Sequence, residues 1–321
     1  MSGVFQRKDL LGLEPLSCDE ILFLLNEAVA FREILKRPIR KVPTLRGKTV
    51  LNLFFEPSTR TQASFDLAAK RLSCDIVSIS PGTSSVKKGE TLLDTLKNIE
   101  AMKIDAVVVR HSSPGTPHFL ARHTEASVIN AGDGAHEHPT QGLLDMLTVK
   151  EILGTFKGIT VLIVGDILHS RVARSDIFGF KKCGARVILS GPPTMLTEAF
   201  KELGVEIAYE PDQVIGEADV IIALRVQMER LEESFFPSFR EYREIYSLTP
   251  ERLKKAKKEA ILMHPGPVNW GVELDLESVD VLKTVILDQV TNGVAIRMAV
   301  LYHLIGGQVS TFDISSQEEG R

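Results

Sequence analysis

The chain has 321 residues, of which 44% are hydrophobic and 25% charged, a composition typical of a folded protein large enough for two domains. Its formal net charge of −4 gives no basic footprint for nucleic acid, and no apolar run is long enough to predict a membrane span. Cys18, Cys74 and Cys183 form an odd, widely spaced set. This set predicts that the chain has no disulfide framework, which fits a cytoplasmic location.

Short buried runs alternate with helical patterns along the whole chain. The candidate strands are 50–55, 75–80, 106–110, 127–130, 160–166, 186–191, 206–209, 219–224 and 260–265. Such alternation predicts an α/β fold built from βαβ units, with parallel sheets covered on both faces.

We expect two domains, each a mostly parallel sheet flanked by helices. The first would hold residues 1–145 and the second residues 146–292, with a helix from Pro139 to about Leu153 as the bridge. The last helical pattern, Gly293 to Ile305, predicts a C-terminal helix that packs back on the first domain and returns residues 293–310 to it.

The segment FFEPSTRTQASF, residues 54–65, places an excess of donors at the start of a helix. Ser58, Thr59, Arg60 and Thr61 follow the first strand and precede a helical pattern that includes Phe65. One hydroxyl would be enough to cap the helix, whereas three hydroxyls and a guanidinium are more than a cap needs. Together with free N–H groups of the helix N-terminus, they predict a phosphate site.

The other informative loops also follow strands. Ligands of parallel α/β sheets bind beyond the carboxyl ends of the strands. The loops there are PGTSSVKKGE (81–90), Arg110-His111, NAGDGAHEHPTQ (130–141), GDILHSR (165–171), LRVQMER (224–230) and HPGPVNW (264–270). These loops are rich in polar side chains, above all cationic ones, so we expect a substrate with more than one negative group.

Three cofactor motifs are incomplete. RGKT (46–49) lacks the earlier glycine of a P-loop, and GDILHS lacks the GxGxxG that a nicotinamide-dependent dehydrogenase would need. His136-Glu137-His138 does not have the HExxH spacing of a zinc site. We therefore expect neither a cofactor nor a metal.

Six ordered motifs carry a resemblance to a known family. They are STRT (58–61), SSVKKGE (84–90), Arg110-His111, HPTQ (138–141), LRVQ (224–227) and HPGP (264–267). Over about Leu10 to Ile305, the chain resembles the aspartate/ornithine carbamoyltransferases. Glu56 ahead of STRT, the KKGE sequence and HPGP in the last motif favour the aspartate branch.

The resemblance implies transfer of the carbamoyl group of carbamoyl phosphate to L-aspartate, which gives N-carbamoyl-L-aspartate and phosphate in pyrimidine synthesis. It implies that residues 1–145 bind carbamoyl phosphate and residues 146–292 bind aspartate. It also implies a homotrimer with active sites shared between subunits. Regulatory chains and dihydroorotase are candidate further partners, between which the sequence does not choose.

The resemblance assigns most donor-site residues. Ser58, Thr59, Arg60 and Thr61 would bind the phosphate, while Thr61, Arg110 and His138 would polarise the carbonyl and stabilise the oxyanion. Gln141, Gly266 and Pro267 would hold the carbamoyl amide, and Ser84 and Lys88 would reach the site from a neighbouring subunit. His138 precedes Pro139, so we expect it at a helix N-cap, where a neutral imidazole is favoured.

The aspartate needs cationic partners in addition to Lys88. Arg225 and Gln227 are the candidates for one carboxylate, and Arg171 is the candidate for the other. Arg174 lies one turn further on and remains the alternative to Arg171. Trp270, the only tryptophan, receives no role.

Two rival interpretations conflict with the same residues. An ornithine enzyme would need an acidic second-substrate pocket in place of Arg225-Val226-Gln227. A catalytically inactive paralogue would not be expected to keep STRT, Lys88 and His138 intact.

Overall fold

The structure, a computed structural model, describes residues 5–79, 91–226 and 238–306. Within these ranges the strands are β1 (Thr49–Phe54), β2 (Asp75–Ile79), β3 (Ala106–His111), β4 (Ser127–Asp133), β5 (Thr160–Val164), β6 (Arg186–Ser190), β7 (Glu206–Ile207), β8 (Val220–Ala223), β9 (Ile261–Met263) and β10 (Lys283–Thr284). The α-helices are α1 (Cys18–Lys36), α2 (Thr59–Arg71), α3 (Leu92–Glu100), α4 (Thr116–Ala121), α5 (Pro139–Leu153), α6 (Arg171–Lys182), α7 (Phe239–Tyr246), α8 (Pro250–Leu253) and α9 (Ile286–Ile305).

Two parallel sheets form the centres of two domains, which confirms the predicted fold class. The first sheet has the order β2-β1-β3-β4 and the second has the order β10-β9-β8-β5-β6-β7. Every pairing between neighbouring strands is parallel. All nine candidate strands are present, within a few residues of their expected ends.

Alternating residues of the central strands enter different layers of the core. In β1, Val50 and Phe54 join the largest apolar cluster, whereas Leu51 and Leu53 face a separate cluster on the other side of the sheet. The same largest cluster also contains residues of β5, α5, α6 and α9. The two domains therefore share one continuous layer of helices, which fixes the carboxyl edges of their sheets near each other.

Helix α9 packs back on the first domain, as expected. Tyr302 contacts Phe31 of α1 edge-to-face, with ring centroids 5.6 Å apart, and the Arg297 guanidinium lies over the ring of Phe65 in α2. The helix begins at Ile286, seven residues before the predicted start. Its first two turns expose Leu287 and Val290 and bury Gln289, so they lack the apolar pattern by which a buried helix is recognised.

Each sheet ends in an edge strand that deserves note. β2 is exposed along much of its length, with 47% of Val77 accessible, and it pairs on one side only among the described residues. The two-residue edge strand β10 was not predicted. No described helix combines the length and apolar composition needed to cross a bilayer.

Candidate active site

A cavity of about 500 Å³ opens where the carboxyl ends of the two sheets meet. Its wall contains residues at or just after the carboxyl ends of β1, β3, β4, β5, β8 and β9, together with four residues of α9. Among the described lining residues there are five arginines and one carboxylate: Arg60, Arg110, Arg171, Arg225, Arg297 and Glu56. The wall is thus strongly positive, although the chain as a whole carries a formal charge of −4.

The N-terminus of α2 forms one end of the cavity. Ser58 is the N-cap residue, but its side chain makes no capping hydrogen bond. Ser58, Thr59, Arg60 and Thr61 all line the cavity. Their donors are thus grouped at the positive end of a helix, the arrangement that binds a phosphate.

Arg60 lies against the loop that follows β9. Gly266 has a φ of +66°, and a Cβ atom at this position would come within 2.7 Å of the Arg60 Nη1 atom. Glycine is therefore required both by the backbone conformation and by the close approach of the guanidinium. Burial lowers the pKa of Arg60, and the nearby positive charge of Arg225 lowers it further.

Glu56 joins two arginines from different domains. Its Oε1 accepts from Arg110 Nη2 at 2.9 Å, and its Oε2 accepts from Arg171 Nη2 at 2.7 Å. Arg110 lies near the carboxyl end of β3, whereas Arg171 is the first residue of α6, which follows β5. Gly132 makes room for both, because a Cβ there would lie 2.6 Å from Arg171 Nη1 and 3.1 Å from Arg110 Nη1.

His138 caps α5 and is followed by Pro139 in the first turn, as predicted. Its backbone N–H donates to Ser175 Oγ at 2.9 Å, while its Nδ1 is buried without a hydrogen-bond partner among the described residues. The pKa of His138 is held well below its usual value, first by burial and then by the charges of Arg297, Arg110 and Arg171. The expected neutral form is therefore favoured, but mainly by burial rather than by the helix terminus.

The His264–Pro267 loop has an internally fixed conformation. The Gly266 N–H donates to His264 Nδ1 at 2.7 Å, which leaves the proton of the neutral ring on Nε2, 3.3 Å from Glu273 Oε1. The same carboxylate oxygen accepts the Asn269 N–H at 2.6 Å. His264, Pro265, Gly266 and Pro267 all face the cavity.

Asn269 also supports Arg225. Its Oδ1 accepts from Arg225 Nε at 3.4 Å, and its Nδ2 donates to the carbonyl of Val226 at 3.1 Å. The loop after β8 is thereby tied to the loop after β9. The neighbouring Trp270 is about half exposed and does not line the cavity.

The structure brings most of the sequence-predicted residues together. Cavity-lining members of the predicted set are Ser58, Thr59, Arg60, Thr61, Arg110, His138, Gln141, Arg171, Arg225, Gly266 and Pro267. The Arg174 guanidinium instead lies over the Phe200 ring, 5.4 Å from its centroid, and is not part of the wall. Ser84, Lys88 and Gln227 lie outside the described residues.

Several lining residues with polar side chains had no predicted role, among them Glu56, Gln289 and Arg297. Glu56 served only as a family marker, because a carboxylate is not expected at an anion site. Arg297 and Gln289 lie within the apolar pattern of α9 or just before it, where they resemble ordinary helix residues. Arg297 donates to Ser64 Oγ at 2.9 Å, and burial lowers the pKa of Arg297 to about 10.

A separate group of polar side chains has ligand atoms close together. His118, Asp133 and His136 bring such atoms within 4.8 Å of one another. The Asp133 carboxylate, however, already accepts from Gly115 N–H at 2.8 Å and from Asn130 Nδ2 at 2.8 Å. These bonds give Asp133 a structural role in holding the loop after β4.

Comparison with known proteins gives matches over nearly the whole chain. Residues 8–151 match the family model described as "Aspartate/ornithine carbamoyltransferase, carbamoyl-P binding domain", and residues 157–304 match the "Asp/Orn binding domain". The aspartate carbamoyltransferase catalytic subunit of Syntrophobacter fumaroxidans is 59% identical over 300 residues, which cover 94% of this chain and 98% of that protein. That of Halothermothrix orenii is 54% identical, with coverage of 97% and 99%.

Solved structures share the fold. Aspartate transcarbamoylase from Trypanosoma cruzi, in complex with carbamoyl phosphate and aspartate, superposes with a TM-score of 0.83 at 28% identity, covering 92% of this chain and 96% of that one. Ornithine carbamoyltransferase from Pyrococcus furiosus gives a TM-score of 0.82 at 29% identity, with coverage of 93% and 97%. Fold, motifs and family models agree, and the chain belongs to the aspartate/ornithine carbamoyltransferase family.

Proposed function

We propose that the chain transfers the carbamoyl group of carbamoyl phosphate to the amine of L-aspartate, giving N-carbamoyl-L-aspartate and phosphate for pyrimidine synthesis. The observation that carries this proposal is the composition of the cavity wall, which holds five arginines and one carboxylate among the described residues. A phosphate dianion and a dicarboxylic amino acid together supply the negative charge that such a wall can bind. The relatives that are more than half identical are named as catalytic subunits of the aspartate enzyme.

The donor site would be built mainly by the first domain. Ser58, Thr59, Arg60 and Thr61 would bind the phosphate through hydroxyl, guanidinium and helix N–H donors. Arg110, His138 and Thr61 would then donate to the carbonyl oxygen as it becomes an oxyanion. Gln141 and the backbone of Gly266 and Pro267 would bind the carbamoyl NH2 group.

The acceptor site would be built mainly by the second domain. We propose Arg171 rather than Arg174 for one aspartate carboxylate, because Arg171 lines the cavity and Arg174 lies against Phe200. Arg225 is proposed for the other carboxylate, held in place by Asn269. Gln227 and Lys88 retain their expected roles as proposals.

The chemical step would need little more than positioning and electrostatics. The free amine of aspartate attacks the carbonyl carbon, the new C–N bond forms, and the bond from carbon to the phosphate oxygen breaks. The departing phosphate accepts the proton that the amine loses. Neutral His138 suits this scheme as a hydrogen-bond donor, since its pKa is held well below the usual value.

The proposed assembly is a homotrimer with shared sites. The resemblance supports it by assigning Ser84 and Lys88 to a neighbouring subunit's cavity. The proposed division of labour, with carbamoyl phosphate bound by residues 1–145 and aspartate by residues 146–292, agrees in outline with the descriptions of the two matching family models. A cytoplasmic location is proposed because all three cysteines are free thiols.

The direct test is product formation by the purified protein. It is supplied with carbamoyl phosphate together with aspartate, ornithine or another amine, and the carbamoylated products are separated and quantified. We expect N-carbamoyl-L-aspartate as the principal product. Preferential carbamoylation of ornithine, or no transfer by the folded protein, would contradict the proposed function.

A further inference from the structure

A buried carboxyl group lies directly behind the cavity wall. Asp145 of α5 is fully buried and is not a lining residue. It accepts from Gln289 Nε2 at 2.6 Å and from Gln141 Nε2 at 3.0 Å, and both of these glutamines line the cavity. One carboxyl group therefore holds two side-chain amides, one from its own helix and one from α9.

These bonds determine which way each amide points. A glutamine amide has a nitrogen that only donates and an oxygen that only accepts. With both nitrogens turned towards Asp145, the oxygens must point away from it. The Gln289 Oε1 accepts the His264 N–H at 3.0 Å, which anchors the start of the His264–Pro267 loop. Since Gln141 lines the cavity and its nitrogen is held by Asp145, its Oε1 is the amide atom available to a ligand there.

A second buried carboxyl group, that of Asp176 in α6, supports this arrangement. No N–H or O–H group of the described residues donates to Asp176, whereas two amides donate to Asp145. Burial and the nearby Asp145 raise the pKa of Asp176 well above its usual value. Burial also raises the pKa of Asp145, to about 7, but the amides of Gln289 and Gln141 and the charge of Arg297 oppose that rise. Asp176 therefore keeps its proton more readily, and Asp145 is the member of the pair that acts as the acceptor.

We infer that Asp145 is a positioning residue for recognition of the carbamoyl NH2 group. It turns the Gln141 oxygen towards the cavity, and through Gln289 it fixes the loop whose Gly266 and Pro267 face the same space. Oxygen acceptors are what an NH2 group needs and what a methyl group cannot use. Asp145 would thus help the site to distinguish a carbamoyl phosphate from an acyl phosphate of the same shape. The inference rests on the proposed function.

The test compares two stable ligands that differ only at this group. Phosphonoacetamide carries the NH2 group, and 2-oxopropylphosphonate carries a methyl group in its place. Their dissociation constants are measured by calorimetry for the wild-type protein, Asp145→Ala and Asp145→Leu, the second of which fills the volume without providing an acceptor. We expect the preference for the amide to fall about tenfold, as loss of one well-aligned hydrogen bond would produce. Affinity for the methyl ligand should change less than threefold.

Asn292→Ala is the matched control. Asn292 lies on α9 one turn after Gln289, and its Nδ2 donates to two residues of α5, Thr148 Oγ1 at 3.0 Å and Glu151 Oε2 at 2.9 Å. This variant loses two hydrogen bonds between the same two helices and should keep the wild-type preference for the amide. Equal weakening of both ligands in a folded Asp145 variant, or an unchanged preference, would overturn the inference. Failure of the proposed function would be recognised separately, because the wild-type protein would then form no carbamoyl aspartate.

Discussion

Arg60 belongs to the first turn of α2, its guanidinium lies against the glycine of the His264–Pro267 loop, and it has no acidic partner among the described residues. A phosphate would supply that partner. Arg60→Ala should lower kcat/KM for carbamoyl transfer by a factor that corresponds to several kcal/mol, since each charge-assisted hydrogen bond contributes about 1.5–3 kcal/mol. Steady-state kinetics with carbamoyl phosphate varied will measure this.

Lys70→Ala is a suitable control for Arg60, because Lys70 is an exposed cation in the last turn of the same helix. It should have nearly normal kinetics. Near-normal transfer by a folded Arg60→Ala protein would rule out this phosphate site.

His138 should remain neutral across the working pH range. Its depressed pKa means that proton uptake begins only well below the usual value, so lowering the pH from 8 to 6 should not charge the ring. NMR spectra of protein labelled with 15N-histidine should therefore include one imidazole that does not titrate in this range. His138→Gln identifies that signal, and a midpoint near pH 6.5 for it would contradict the prediction.

Site residues could be predicted from the sequence where a loop holds more polar side chains than its local structure requires. Three hydroxyls and Arg60 at a helix start are more than a cap requires, and the structure leaves the Ser58 side chain out of capping. Glu56 and Asp145 were not predictable in this way. Each acts through partners distant in the sequence, such as Arg171 or Gln289, and a single carboxylate carries no signal of such contacts.

At the scale of elements, the packing of α6 against α5 makes the free energy of unfolding depend on pH, because it buries the carboxyl group of Asp176 beside Asp145. Below the usual pKa of Asp176, 3.8, both the folded and the unfolded chain hold its proton, and its contribution to stability is fully present. As the pH rises towards the elevated folded pKa, only the unfolded chain releases the proton, so the free energy of unfolding falls. The slope for one proton is about 1.4 kcal/mol per pH unit.

Asp176→Asn should remove this loss, because the amide is uncharged at every pH. The free energy of unfolding of the variant, relative to that of the wild type, should therefore increase from pH 5 to pH 7. Urea unfolding at constant protein concentration measures it. Asp280→Asn, at an exposed carboxylate, is the control and should show a smaller change. A relative stability that is independent of pH would contradict the assignment of a proton to Asp176.

Elements with a regular apolar pattern were predicted well, and those without one were not. β1 and β5 are buried almost throughout, and both were recognised as short apolar runs. The first turns of α9 were missed because their outward side is apolar and their inward side carries Gln289 and Asn292. Burial of hydrogen-bonded amides there depends on tertiary contacts with α5, which periodicity cannot reveal.

At the scale of the whole molecule, the proposed sharing of sites between subunits can be tested with hybrids. Lys88→Ala and Arg60→Ala proteins should each be nearly inactive when assembled alone. When they are dissociated together and reassembled, some interfaces would combine an intact Arg60 with an intact Lys88. Activity should then return, with at most one restored site in each mixed trimer.

Wild-type subunits taken through the same dissociation and reassembly provide the control for this experiment. If they recover their activity while the mutant mixture stays inactive, Lys88 serves the cavity of its own chain.

The charge of the cavity wall also has a consequence for the rate of encounter with substrates. Because the formal charge of the chain is −4, a dianion far from the protein is weakly repelled, whereas at the mouth of the cavity it meets the field of five arginines. A low-dielectric cleft focuses such a field, and dissolved ions screen it over about 8 Å at physiological ionic strength. The association rate constant for carbamoyl phosphate should therefore fall as salt is added, and stopped-flow measurements over a range of sodium chloride concentrations would detect the decrease.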